Sequence, residues 1–180
     1  MTVARTPVLL ITGPVGVGKT TIANEVSALL EEAAMPHACV DMDQLRCAYP
    51  RPPDDRFNSA LGLRNLGDVW ANYHAAGARR LILADVLESR ANLLGYEAAI
   101  PGADILVVRL RASVASLAAR VQQREVGAGL DWHLRRSAEL AAQMEREGVE
   151  DIVVETDGRG LAELAREVLE RSGWVIAPGD

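Results

Sequence analysis

Eight consecutive residues carry the most specific chemistry in the chain. Gly13-Pro14-Val15-Gly16-Val17-Gly18-Lys19-Thr20 has the spacing G-x-x-x-x-G-K-S/T, and each fixed position has a physical task. The glycines let the backbone wrap until successive N–H groups point inward at phosphate oxygens. A helix opening at the end of the loop adds the partial positive charge of its N-terminus. Lys19 is placed to meet the β- and γ-phosphates of a nucleoside triphosphate as a point charge. The Thr20 hydroxyl is placed to ligate Mg2+, with Thr21 beside it on the phosphate side. Of the 19 basic residues 18 are arginine, and Lys19 is the one lysine. The skew resembles the codon bias of a GC-rich genome, so a lysine stands where a compact ammonium on a thin stem is required.

A second set of candidates is acidic. Val40-Asp41-Met42-Asp43 places two carboxylates one residue apart after an apolar run. An ionised Asp can accept a hydroxyl proton and can support a divalent cation, so the pair suits both tasks. The bland alternative is that one of them caps a short helix beginning near Gln44. Leu81-Ile82-Leu83-Ala84-Asp85 ends in a third carboxylate, a candidate for magnesium or substrate contact. Arg46 and Arg90 are candidate anion or substrate contacts, and Asn65 and Asn72 candidate readers of a polar substrate. Arg120 and Arg124 lie four apart, where like charges repel on a free helix unless an anion is shared between them. Arg135 and Arg136 follow and could join them.

The elements that must position these groups alternate. Val8–Thr12, His37–Val40, Arg80–Ala84, Ile105–Leu110 and Ile152–Val154 are short, continuously apolar and β-branched, as strands buried on both faces are. Between them run helical patterns. Gly18–Ala34 places Ile22, Ala23, Val26, Leu29 and Leu30 on one face, and Asn58–Ala76 places Leu66, Val69, Trp70 and Tyr73 inward. Val114, Leu117, Ala118 and Val121 mark a helix after the fourth strand, and another continues through Glu147. Leu161, Leu164, Ala165, Val168 and Leu169 mark the last. Residues 49–56, rich in Pro and Asp, form a loop. Strand and helix in alternation predict an α/β fold with a parallel sheet covered on both sides, in a single domain spanning 1–180.

Composition narrows the field. At 180 residues, 49% hydrophobic and 24% charged, the chain is neither disordered nor a disulfide scaffold, and its two cysteines are expected to be reduced thiols. A net charge of −6 argues against a broad nucleic-acid surface. No apolar run reaches the roughly 20 residues of a membrane span, which with the absence of a leader pattern suggests a cytoplasmic protein. The three histidines and two cysteines lack zinc-ligand spacing.

On the phosphate motif and the Asp-x-Asp after strand two, the sequence resembles the small P-loop kinases and phosphotransferases: shikimate, gluconate and adenylylsulfate kinases and chloramphenicol phosphotransferase. It looks most like kinase-like ATP-binding proteins of actinomycetes. The resemblance implies a five-stranded parallel sheet in the order 2-3-1-4-5, ATP and Mg2+ as cofactors, and an Arg-bearing lid near 120–136. It also implies phosphoryl transfer to a hydroxyl of a small molecule. By position it assigns Asp43 as substrate base and Asp41 as magnesium support, roles that could be exchanged. It puts Arg120 and Arg124 over the γ-phosphoryl group, and Asp157, in Thr156-Asp157-Gly158-Arg159, beside the adenine. Shikimate kinases carry a triple-glycine turn after strand three, where this chain has Asp85-Val86-Leu87. The alternatives are an antibiotic O-phosphotransferase, a nucleotide-dependent regulatory ATPase with no small acceptor, and a nucleoside or nucleotide kinase. The sparse aromatics disfavour the last. The acceptor and the oligomeric state are not legible.

Overall fold

The structure is a computed structural model that describes residues 5–124, the side chain of 124 excepted, and 129–174. Five strands, β1 (Thr6–Thr12), β2 (Ala38–Asp41), β3 (Leu81–Ala84), β4 (Ala103–Arg111) and β5 (Ile152–Glu155), form one sheet. Every pairing is parallel, and the order is β2-β3-β1-β4-β5. β1 is central because it is buried along its length: Leu9, Leu10 and Ile11 are each fully buried. The period of two sends Leu9 and Ile11 to one core and Val8 and Leu10 to the other.

Helices α1 (Lys19–Glu32) and α7 (Leu161–Arg171) cover the first face. There Ile22, Val26 and Leu30 meet Leu164, Val168 and Leu169, and Leu117 of α5 (Val114–Arg124) joins them. The second face is covered by α3 (Ser59–Ala75), α4 (Leu93–Ala99) and α6 (Leu130–Glu147), through Leu66, Trp70, Leu93, Tyr96 and Met144. Helix α2 (Met42–Leu45) is a single turn directly after β2.

Three inward-facing expectations are corrected. Val114 and Leu161 stand in the first turns of their helices, ahead of the sheet edge, and are 66% and 37% exposed. Tyr73, near the end of α3, is 43% exposed. Helix α4 carries no expectation from sequence, because seven residues with a glycine in the middle make a weak pattern. It follows a 3-10 turn, Arg90–Asn92, capped by Ser89, whose hydroxyl accepts from the Ala91 N–H while its own N–H donates to Asn92 Oδ1. Gly95 brings α4 against α3: a Cβ there would lie 2.6 Å from Leu63 Cδ1.

The parallel sheet places the carboxyl ends of β1, β2 and β3 on one edge. The loops leaving that edge carry Gly13–Gly18, Asp41–Arg46 and Asp85–Arg90, where open α/β sheets hold their ligands.

Candidate functional site

The loop from β1 to α1 has the curvature a phosphate cradle requires. Gly13 has φ +147°, and a Cβ there would lie 2.7 Å from the Leu110 carbonyl oxygen and 2.8 Å from Val17 Cγ1. Only glycine fits so close to β4 in that conformation. Gly18 is the N-cap of α1 in the left-handed region, at φ +101°, and no side chain caps the helix. The N-terminus of this 14-residue helix therefore opens onto the loop. Pro14 closes a turn by accepting from the Val17 N–H at 3.3 Å. The Lys19 ammonium donates to the carbonyls of Gly13 and Pro14 at 3.1 and 3.2 Å, which holds its charge at the loop.

Thr20, in the first turn of α1, donates its hydroxyl to Asp41 Oδ2 at 2.7 Å. Asp41 Oδ1 accepts from the Asp43 N–H at 2.9 Å, making Asp41 the N-cap of α2. The capping role and the role at the phosphate loop thus fall on the same carboxylate, one oxygen each. A hydroxyl and a carboxylate oxygen in contact form a hard-oxygen donor pair suited to Mg2+, which keeps most of its other positions for phosphate and water. Among the described residues no three His, Cys, Asp or Glu side chains form a metal cluster.

Asp43 points away from that contact. Its side chain is 83% accessible, and it approaches Arg46 at 3.8 Å. Partial burial, followed by the charges of Asp41 and Asp85, raises its carboxyl above the ordinary carboxylate range, against the opposing pull of Arg46 and Lys19.

Below Asp43 lies a buried ionic cluster. Arg46 grips Asp85 with both terminal nitrogens, Nη1 to Oδ1 at 2.8 Å and Nη2 to Oδ2. Asp85, whose side chain is 1% exposed, also accepts from the Tyr96 hydroxyl and from the Val86 N–H at 2.7 Å. Burial and then the Asp85 charge raise the Tyr96 phenol, so it stays protonated and donates. Burial alone would lower the Arg46 guanidinium, and Asp85 more than offsets it. Asp85, the candidate for magnesium or substrate contact, has its oxygens engaged by Arg46, Tyr96 and the Val86 N–H, and it anchors Arg46. The stem of Arg46 passes over α3 at Gly62, where a Cβ would come within 2.7 Å of Arg46 Cγ.

Two asparagines clamp the segment that carries Arg46. Asn58 donates to the Arg46 and Ala48 carbonyls at 3.0 and 3.1 Å, and Asn65 donates to the Leu45 carbonyl at 2.8 Å. Asn65 was expected to read substrate; its amide is used to fasten α2 to α3. Arg90, the other candidate substrate contact, is engaged between elements. It donates to the Val149 carbonyl and pairs with Asp151, both at 3.0 Å, bridging the turn after β3 to the segment before β5. Asn72 lies exposed on α3.

The expected arginine group also resolves differently. Arg120 donates to the Val17 carbonyl at 3.2 Å, to Thr156 Oγ1 at 3.1 Å and to the Thr156 carbonyl at 3.4 Å. Arg120 thus ties the β1–α1 loop to the β5–α7 turn. Asp157, expected beside adenine, accepts from the Ser113 N–H at 2.8 Å and lies 3.8 Å from Arg120. The Ser113 N–H, then Ser116, holds its carboxyl below the usual range. The side chain of Arg124 and residues 125–128, where the lid was expected, lie outside the described residues. Arg136 pairs with Glu88, and its neighbour Ser137 donates to the Val15 carbonyl at 2.7 Å, which seats α6 on the phosphate loop.

Tyr96, Asn58, Gly62 and Ser137 were missed from sequence. Asn58 had a signal, an Asn just ahead of a helical pattern; the others act through contacts that no local pattern announces.

No protein-family model matches the sequence, and no curated protein matches it. Solved structures do share its shape. The tunicamycin resistance protein of Deinococcus radiodurans superposes with a TM-score of 0.68 at 17% identity, covering 97% of this chain and 100% of that one. A gluconokinase from Sinorhizobium meliloti 1021 gives 0.62 at 21% identity, covering 96% and 95%. The shikimate kinase of Acinetobacter baumannii, in complex with shikimate, gives 0.59 at 16% identity, covering 93% of each chain. At these identities the likeness is one of fold, which this chain shares with the two kinases and the resistance protein.

Proposed function

We propose that this protein transfers the γ-phosphoryl group of ATP to a hydroxyl of a small molecule. The observation that carries the reading is the junction of two half-sites on one sheet edge. Thr20 of the phosphate loop touches Asp41, and two residues on Asp43 opens to solvent. A binding module would need the first half; only transfer to an acceptor uses the second.

In this reading the loop N–H groups and Lys19 bind and orient the triphosphate. Thr20 and Asp41 would hold Mg2+, which when bound neutralises charge on the phosphate oxygens. Asp43 orients the acceptor hydroxyl and takes its proton. The acceptor oxygen forms the new P–O bond, the β,γ-bridging P–O bond breaks, and ADP leaves. Most of the rate comes from positioning and electrostatics, since the transferred group needs little covalent help. Arg120 ties the cradle to the β5–α7 turn.

The likeness to a tunicamycin resistance protein over its whole length favours a second version of the same chemistry, in which the acceptor is an antibiotic. Cytoplasmic placement fits an ATP-dependent enzyme, and no helix among the described residues is long and apolar enough to cross a membrane. The test is incubation with γ-labelled ATP, Mg2+ and a panel of sugars, polyols and antibiotics. A labelled organophosphate, absent with Lys19→Ala, supports the reading. Release of labelled inorganic phosphate alone, across the panel, overturns it in favour of a regulatory ATPase.

A further inference from the structure

What holds Asp43 in place can be read from the fastenings of its helix; the inference rests on the phosphotransfer reading above. Helix α2 has four residues, far too few to be stable by itself. The Asp43 side chain is 83% accessible and approaches Arg46 at 3.8 Å, too far for a hydrogen bond. It does little to place itself. The position of its carboxyl is set by how the two ends of α2 are fastened.

The leading end is tied to the phosphate side. Asp41 caps α2 with one oxygen and accepts from Thr20 with the other. In the middle, Met42 and Leu45 turn into the second core, a contact that has strength but no direction. The trailing end carries directional bonds. Arg46 puts both terminal nitrogens on Asp85, which is 1% exposed and is held in turn by the Tyr96 hydroxyl and the Val86 N–H. Asn65 takes the Leu45 carbonyl at 2.8 Å, and Asn58 takes those of Arg46 and Ala48. Desolvation offsets most of what a buried ion pair contributes to stability. A fork of two parallel bonds supplies geometry instead.

We propose that Arg46, Asp85 and Asn65 are positioning residues for Asp43, acting through the backbone of α2. They fix the direction in which the turn leaves Asp41, and so the distance between the Asp43 carboxyl and a hydroxyl lined up on the triphosphate. Positioning of this kind weighs heavily on rate, since a misplacement of about 1 Å can cost about a hundredfold. It leaves the triphosphate contacts of the phosphate loop as they are.

The experiment uses the full chain with γ-labelled ATP, Mg2+ and the panel of sugars, polyols and antibiotics as acceptor source. Arg46→Ala alone would strand the Asp85 charge in the core and can unfold the chain. The tether is therefore removed as a pair, Arg46→Met with Asp85→Asn, which takes away both charges at similar volume. Asn65→Ala, which frees only the Leu45 carbonyl, is the second variant and carries the decision if the pair does not fold. Each is also combined with Asp43→Asn. The expected result is organophosphate turnover lowered about tenfold at saturating ATP, with the KM for ATP within about twofold. In the Asp43→Asn background the same changes should cause no further loss, because residues that act through one group do not add. Unchanged turnover in folded variants overturns the inference and leaves phosphotransfer standing. So do losses that multiply with that of Asp43→Asn, or a KM for ATP that rises as turnover falls. No organophosphate from the wild-type chain, shown to bind ATP, ends the phosphotransfer reading and this inference with it.

Discussion

On the phosphate side, every group that matters lies within eight consecutive residues plus one partner, Asp41, 21 residues on. On the acceptor side, Arg46 meets Asp85 across 39 residues, Arg90 meets Asp151 across 61, and Arg136 meets Glu88 across 48. The first region is a backbone device whose φ angles and helix terminus follow from local glycines. The second is a set of ion pairs between chain segments that only the sheet order brings together. Under the phosphotransfer proposal, a backbone cradle would recognise what all nucleoside triphosphates share, and the side chains of the second region would decide which acceptor is admitted.

The largest effect should come from the cradle. Lys19→Ala should lower phosphoryl transfer by about a thousandfold, the loss expected for one preorganised charge contact. Far-UV circular dichroism should stay unchanged, because the ammonium meets loop carbonyls and phosphate and no core. Lys19→Arg should fail as well, since a planar guanidinium does not fit where a compact ammonium does. Full activity of either variant removes the phosphate side of the comparison.

Next comes Asp43, where the two regions meet. Asp43→Asn should reduce kcat by about a hundredfold or more, as loss of a general base does, with ATP affinity within a few-fold. Its carboxyl is raised from 3.8, and a base works deprotonated. The acid limb of the wild-type kcat profile should therefore lie above that value and vanish in the variant. The stability sign is opposite. A folded-state pKa above the unfolded one means the ionised form opposes folding at neutral pH, so Asp43→Asn should keep or raise Tm. A fall in Tm with unchanged kcat would reassign Asp43 to structure.

What could be read ahead of the structure follows the same division. The sheet order came from a resemblance carried by the phosphate motif. The strand positions came from runs such as Leu81–Ala84, all of which are buried. Asp41 was legible because the resemblance places a carboxylate after strand two, and its capping contact with the Asp43 N–H is local. Asp85 and Arg90 were visible as charged residues near strand ends, but an isolated charge looks the same whether it awaits a ligand or a counter-ion. Tyr96 was hidden because its helix is short and its partner is a carboxylate on a different element.

The acceptor side can be tested for stability. Asp85→Asn leaves Arg46 buried opposite a neutral amide and should cost about 3 kcal/mol, as removal of one partner of a buried pair does. Tyr96→Phe removes one hydrogen bond to that carboxylate and should cost about 1.5 kcal/mol. Urea unfolding measures both. If Asp85→Asn is neutral in stability and instead raises the magnesium requirement, Asp85 is a metal group after all and the ion-pair account fails.

The smallest effect is expected at Arg120, which joins the cradle to the second edge of the sheet. Its guanidinium bonds Val17 on the loop and Thr156 after β5, so removing it should loosen the loop while every inward N–H remains. A looser cradle binds ground state and transition state less well to the same extent, which raises KM and spares kcat. Arg120→Ala should raise the KM for ATP by about tenfold, the equivalent of one or two lost hydrogen bonds, with kcat within about threefold. An arginine that met the γ-phosphoryl group during transfer would give the reverse: kcat lowered about a hundredfold at nearly constant KM. Thr156→Val separates the two further, because it removes one anchor of Arg120 without touching its charge. If bracing is the role, Thr156→Val should reproduce part of the KM rise and leave kcat alone. If Arg120 instead swings onto phosphate, freeing it from Thr156 should leave KM unchanged, and steady-state kinetics on the two variants decides the matter.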